Sequence, residues 1–282
     1  MKWRRARKSE NVVDRRGASA GSIGGIGIGG VVVVVLISLV LGKNPLEMLG
    51  LLSQVQGPST TTTSAPIDDE ASEFIASILG ETEDVWAMLF ERNGSRYAPT
   101  RLVLFNDRVT SACGSANAAV GPFYCPADQQ VYIDLGFFRE MERRLGGGGE
   151  FAEAYVIAHE VGHHVQNLTG VSQRVNQARS RGQNVSGEQG LLVRQELQAD
   201  CYAGVWAHHA QRRHDWLEPG EIEQALATAS AIGDDALQRQ SQGTIVPDTF
   251  THGSSEQRVR WFRTGFDVGD PARCDTFAAP EV

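Results

Sequence analysis

Ala158-His159-Glu160-Val161-Gly162-His163-His164 sets two imidazoles four residues apart, with a glutamate directly after the first. On a helix, residues four apart lie one above the other on the same face, so His159 and His163 can grip one zinc ion together. Glu160 then stands about 100° round the helix, by the geometry of 3.6 residues per turn. From there its carboxylate can take a proton from a zinc-activated water. The flanking residues support a helix. Phe151 to Ala158 place apolar residues at helical spacing ahead of the motif, Gly146 to Gly149 break the chain before it, and Gly170 is placed as a stop after it. His164 points off the metal-facing side and reads as a buried or supporting group rather than a ligand.

Two histidines do not finish a catalytic zinc site, which usually takes three protein ligands and leaves one position for water. Gln195-Glu196-Leu197-Gln198-Ala199-Asp200-Cys201-Tyr202-Ala203-Gly204 reads as a second helix, and Glu196 and Asp200 share a face of it. Glu196 can ligate the metal, while Asp200 can accept the free ring N–H of a ligand histidine and so fix its tautomer. Ala199, Ala203 and Gly204 are small enough to let this helix approach the first closely. The competing reading is an exposed acidic surface with ordinary Arg194 and Glu196 pairs.

Glu-x-x-x-Asp on a helix downstream of His-Glu-x-x-His is similar to the gluzincin pattern. The longer strings His159 to Gln166 and Glu196 to Gly204 resemble the neutral zinc metallopeptidases of the YpfJ type. Asn11-Val12-Val13-Asp14-Arg15-Arg16-Gly17, Gly121-Pro122-Phe123-Tyr124-Cys125-Pro126, Val131-Tyr132-Ile133-Asp134, Gly269-Asp270-Pro271 and Cys274-Asp275-Thr276-Phe277 agree with that family, so the resemblance covers almost the whole chain. It implies a zinc metalloendopeptidase with one Zn2+ per chain, acting on a peptide or protein substrate. Near the C-terminus, Thr251-His252-Gly253 and the downstream Arg258 are similar to a segment of the membrane-bound CAAX prenyl endopeptidases, with Gly253 in place of a proline. That likeness implies that His252 steadies an oxyanion and that Arg258 holds acidic groups around the site or orients the loop of His252. A solvent-exposed loop histidine and a surface arginine are the competing reading. Ser254 and Gln257 have capping-box spacing, which starts a helix just after His252.

Ser22 to Gly42 is an uninterrupted uncharged stretch, and about 20 apolar residues suffice to span a bilayer as a helix. Ahead of it stand Lys2, Arg4, Arg5, Arg7, Lys8, Arg15 and Arg16 against Glu10 and Asp14, an excess that the positive-inside rule keeps in the cytoplasm. No small-x-small cleavage site follows, so the sequence predicts an uncleaved signal anchor with everything after Lys43 outside the cytoplasm. The expected division is a basic cytoplasmic N-terminus at 1–21, a transmembrane segment at 22–42, a flexible Ser/Thr/Pro-rich linker at 43–66 and one domain at 67–282. Cysteine usage is compatible with that location, because thiols outside the cytoplasm tend to be paired. Cys113 and Cys125 bracket a turn-rich stretch that a disulfide can close, and a Cys201 to Cys274 bridge would staple the tail to the ligand helix. Four cysteines allow three pairings, and sequence does not choose among them.

The 282-residue chain carries a formal net charge of −8, and its part beyond the basic start is more acidic still, which argues against nucleic acid as a partner. The expected fold class is α+β: a mainly helical, zincin-like domain with a small antiparallel sheet, preceded by one N-terminal transmembrane helix. A helix is predicted near Glu70 to Phe90. Leu102-Val103-Leu104-Phe105, Phe123-Tyr124-Cys125 and Gln130 to Asp134 are short β-branched and aromatic runs that read as strands, with Pro122 suited to an edge. Pro219 reads as the first turn of a helix running to about Gln242. Trp206, Trp216 and Trp261 read as core. The alternative to a peptidase is a non-catalytic zinc-binding envelope protein that holds peptides or partners in the same cleft.

Overall fold

The computed structural model describes residues 1–16, 69–117, 121–145 and 149–282. Met1–Asp14 and Ile67–Val282 form one compact unit, and Arg15–Pro66 divide off as a second. The predicted transmembrane segment, the predicted linker and Gly146 to Gly148 lie outside the described residues. No helix among the described residues is long and apolar enough to cross a membrane.

Eight helices and two small sheets build the described part. Strand β1 (Val12–Asp14) precedes α1 (Glu70–Arg92), which Asp69 caps by accepting the Ser72 backbone N–H at 2.8 Å. Strands β2 (Arg101–Phe105), β3 (Arg108–Ser111), β4 (Gly114–Asn117), β5 (Phe123–Cys125) and β6 (Gln130–Asp134) follow. The helices after them are α2 (Leu135–Leu145), α3 (Glu150–Leu168), α4 (Val171–Ser180), α5 (Leu191–His214), α6 (Glu221–Ala231), α7 (Asp234–Gln242) and α8 (Ser255–Val268).

The main sheet is mixed, not antiparallel as expected. Its order is β1-β2-β6-β5, with β1 parallel to β2, β2 parallel to β6, and β5 antiparallel to β6. A parallel pair needs a long crossover, which residues 106–129 supply by way of the separate antiparallel β3-β4 hairpin. Leu102 to Phe105 and Val131 to Asp134 are buried at every position. Such unbroken burial is the mark of strands covered on both faces. Strand β5, directly after Pro122, ends the sheet order.

The N-terminal residues also depart from the expected division at residue 21. Trp3 is buried in the main core against Phe74, and β1 supplies a strand of the sheet. The single helix expected from Pro219 to Gln242 is two, α6 and α7, broken before Asp234. Gly233 at the break lies so close to the backbone N–H of Ser255 that a Cβ would sit 2.4 Å away. Trp206, Trp216 and Trp261 are buried in the core. Cys113 bridges to Cys125, joining the β3-β4 turn to β5, and Cys201 bridges to Cys274, joining α5 to the turn Pro271–Cys274.

Helices α3, α5 and α8 carry the site, and α5 and α8 touch almost backbone to backbone. A Cβ on Gly265 would lie 1.9 Å from the Cys201 carbonyl oxygen, and one on Gly204 would lie 2.1 Å from that of Phe262. Overfilling a packed contact typically costs about 1–3 kcal/mol. Gly265→Ala should therefore lower the unfolding free energy by about that amount in a denaturant titration. An unchanged midpoint would show that the two helices can separate freely.

Candidate metal centre

Helix α3 turns His159 and His163 to one side, and α5 brings Glu196 opposite them. Among the described residues, these three form the one group of three or more His, Cys, Asp or Glu placed to hold an ion, with their ligating atoms within 4.8 Å of one another. Glu196 Oε2 lies 3.2 Å from His159 Nε2 and 3.5 Å from His163 Nε2. Ligands of a tetrahedral zinc at its usual bond lengths are about 3.4 Å apart, so two imidazole nitrogens and a carboxylate oxygen so spaced fit that ion.

Each ring is held by its far nitrogen. His159 Nδ1–H donates to Asp200 Oδ1 at 2.8 Å, and His163 Nδ1–H donates to Gln166 Oε1 at 2.9 Å. Both acceptors are oxygens, so each Nδ1 carries a hydrogen and each Nε2 is the atom turned to the site. Gln166 is itself clamped, donating to the Gln195 carbonyl at 2.6 Å and to Gln198 Oε1 at 3.1 Å. Asp200 has no exposed surface. It also accepts from Tyr155 Oη at 2.5 Å and takes a two-pronged contact from Arg258, both prongs at 2.9 Å. Arg258 reaches on to Tyr155 Oη at 3.2 Å.

The electrostatics follow from that network. Burial would raise the Asp200 carboxyl, but Arg258 and His159 outweigh it and hold it down to about 2. With protons alone at the site, burial would depress His159, yet Asp200 and then Glu196 raise it to about 10. Burial likewise opposes charge on Glu196, and His163 and His159 nonetheless keep it well below the ordinary carboxylate range. The carboxylates of Glu196 and Asp200 beside the His159 ring favour positive charge in the pocket, and a metal cation can take the proton's place.

Glu160 lies beside the ligands, nearly buried, in the wall of a cavity of about 450 Å³ that also takes in His159, His163, Glu196, His252 and Arg258. His252 stands on the loop before α8, and the Ser254 to Gln257 capping box is present. Asp234, the first residue of α7, holds that loop. Its Oδ2 accepts the backbone N–H of Thr251, His252 and Gly253 at 2.6, 2.7 and 3.1 Å, and its Oδ1 lies 3.2 Å from His252 Nδ1. That hydrogen bond outweighs burial and raises the imidazole above its ordinary value. His164 is turned away from the ligands. Its Nε2–H donates to the Ala98 carbonyl at 2.7 Å, and Nδ1, 3.0 Å from Tyr124 Oη, accepts that hydroxyl proton. Burial lowers its pKa, which keeps it neutral, and the hydroxyl of Tyr124 is thereby held at the cavity wall.

The structure thus brings together His159, Glu160, His163, Glu196, Asp200, His252 and Arg258. Sequence reasoning missed Tyr155, Gln166, Tyr124 and Asp234. Tyr155 stands four residues before His159 and Gln166 three after His163, spacings that put each on a ligand's face. Asp234 carries no such signal, because its partners are 17 to 19 residues away on another segment.

A family model described as "Putative neutral zinc metallopeptidase" matches residues 1–277. The uncharacterized protein YpfJ of Escherichia coli strain K12 is 47% identical over 286 aligned residues, covering 98% of this chain and 99% of its own. An uncharacterized protein of Mycobacterium tuberculosis strain H37Rv is 42% identical over 253 residues, covering 86% of this chain and 83% of its own. No solved structure matches.

Removing a ligand and removing a ligand's support should differ. His163→Ala should abolish stoichiometric zinc, whereas Asp200→Asn, which keeps all three donors, should weaken zinc about 10- to 100-fold in a competition titration with a chelating dye. Full zinc affinity in His163→Ala would remove that histidine from the site.

Proposed function

Because the chain belongs to the neutral zinc metallopeptidase family, we propose that it is a zinc metalloendopeptidase that hydrolyses peptide bonds, with Glu160 as general base. The observation that carries this reading is the close grouping of His159, His163 and Glu196 at a cavity whose wall contains Glu160. A zinc ion held by those three residues would supply Lewis acidity, polarising the scissile carbonyl and making water acidic enough to lose a proton near neutral pH. Glu160 accepts that proton and returns it to the departing amine nitrogen. His252, held by Asp234, donates a hydrogen bond to the oxygen that becomes negative in the tetrahedral intermediate, a contact often worth about 3–4 kcal/mol. Arg258 and Tyr155 act through Asp200, keeping His159 in one tautomer and orientation.

The cavity walls also favour an extended peptide. Strand β5 ends the sheet, and its residues Phe123 and Tyr124 line the cavity, so a substrate strand can pair alongside it. Phe137, Val156, Ile232 and Leu237 give the same cavity an apolar side, suited to an apolar side chain next to the cleaved bond. The two disulfides support work outside the cytoplasm, and Ser22 to Gly42 has the composition to hold the protein at a membrane.

Two measurements test this assignment. Glu160→Gln should keep its zinc while cleavage of a casein or peptide-library substrate falls by about 10²- to 10⁴-fold; cleavage at the wild-type rate excludes Glu160 as the base. A zinc-loaded wild-type chain that binds peptides without cutting them would instead establish the non-catalytic reading.

The pH profile checks His252. As an imidazolium donor facing Glu196 and Arg258, it is active below its pKa, and Asp234 raises that pKa. Asp234→Asn should therefore move the alkaline fall of kcat/KM to lower pH without loss of zinc. An unmoved alkaline limb would take His252 out of the reaction.

A further inference from the structure

We propose that the protein meets a lipid bilayer from a single side, with Met1–Asp14 and Ile67–Val282 together on that side as one folded unit. The reason lies in how the first 14 residues are built into the domain. Trp3 is 1% exposed, and its indole N–H donates to Glu150 at 2.8 Å, the first residue of the metal helix α3. The Ser9 backbone N–H donates to the Ala76 carbonyl at 2.8 Å, and the Ser9 hydroxyl and the Asn11 amide both donate to Glu83, at 2.6 and 2.7 Å. The Arg7 carbonyl oxygen sits where a side chain on Gly80 would begin, 2.2 Å from an ideal Cβ, so α1 is bare at the point where the N-terminal segment crosses it. Strand β1 then pairs in parallel with β2, Val12 opposite Leu102 to Asp14 opposite Leu104.

A single crossing between residues 22 and 42 would put β1 and β2 on opposite sides of the bilayer. Every one of these contacts would then be broken, and the Trp3 side chain would lose its place in the core. The sequence offers no second crossing to bring the chain back, since 43–66 carries Lys43 and Glu47 and runs into Pro58-Ser59-Thr60-Thr61-Thr62-Thr63-Ser64, short of the roughly 20 apolar residues a span needs. Four of the seven basic residues that read as a cytoplasmic retention signal have another use. Arg4 pairs with Glu70, Arg7 with Glu83 and Asp84, Lys8 with Glu73 and Lys2 with Asp215, all acidic groups of the domain. The charge of these four is matched by the fold. The disulfides put the domain on the oxidising side, and the N-terminal segment goes with it.

The inference stands whether or not the chain cleaves peptides. Glu10 and Glu281 are both exposed. In the full-length protein expressed in bacterial cells, Glu10→Cys and Glu281→Cys should react alike with a membrane-impermeant maleimide, both before and after the cytoplasm is opened. Labelling of one position only from outside and of the other only after opening would overturn the proposal, as would recovery of the protein outside the membrane fraction. Hydrogen exchange on the unsubstituted full-length chain in phosphatidylethanolamine–phosphatidylglycerol vesicles gives a second readout. Amides of Val12 to Asp14 that hydrogen-bond to β2 should exchange at least ~100-fold more slowly than those of an unstructured tail. Exchange at the unstructured rate would also overturn it.

Discussion

Asp200 is a carboxylate with no contact with water, and it stays ionised because three partners from two other helices converge on it: His159 and Tyr155 from α3 and Arg258 from α8. Removing one partner of such a buried charge typically costs about 3–5 kcal/mol, since the group left behind can neither reach water nor find a substitute. The three helices are therefore obliged to keep one mutual arrangement. That arrangement is the one that leaves the Nε2 atoms of His159 and His163 facing Glu196. Stability and the placement of these candidate ligands rest on the same set of hydrogen bonds.

The close crossing of α5 and α8 serves the same end. Arg258 can reach Asp200 with both prongs because Gly204 and Gly265 let the two helix backbones nearly touch. The Cys201 to Cys274 bridge, one residue beyond Asp200, ties the same stretch of α5 to the C-terminal tail. On the other flank, Trp3 holds Glu150 at the start of α3. Helix α3 is thus fixed at its first turn by the N-terminal segment and at its middle by α5.

Other parts of the cavity wall are organised by shorter-range means. Asp234 gathers three successive backbone N–H groups and the His252 ring, which gives an exposed histidine a fixed direction without burying it. His164 is buried and neutral and accepts the hydroxyl proton of Tyr124. In both cases a residue beside the cavity is aimed by a partner that does not itself face the metal.

Much of the centre was legible in the chain because its chemistry is local. The four-residue spacings of His159 and His163 and of Glu196 and Asp200 translate directly into shared helix faces, and the capping box at Ser254 and Gln257 translates into a helix start. Tyr155 and Gln166 obey the same spacing rule, but tyrosine and glutamine on a buried face look like ordinary packing until their acceptors and donors are known. The parallel pairing of β1, β2 and β6 was not legible, because short buried runs look alike whichever way their neighbours run. Nor was the place of Met1–Asp14, whose basic residues match a membrane-topology signal as well as they match the carboxylates of α1. By itself the amino-acid order determined which side chains could share a turn of helix and hence the donor set for a metal. Only the tertiary structure decided which distant groups meet, Arg258 on Asp200, Asp234 on His252 and β1 on β2, because those contacts depend on helix crossings and strand neighbours that no local periodicity encodes.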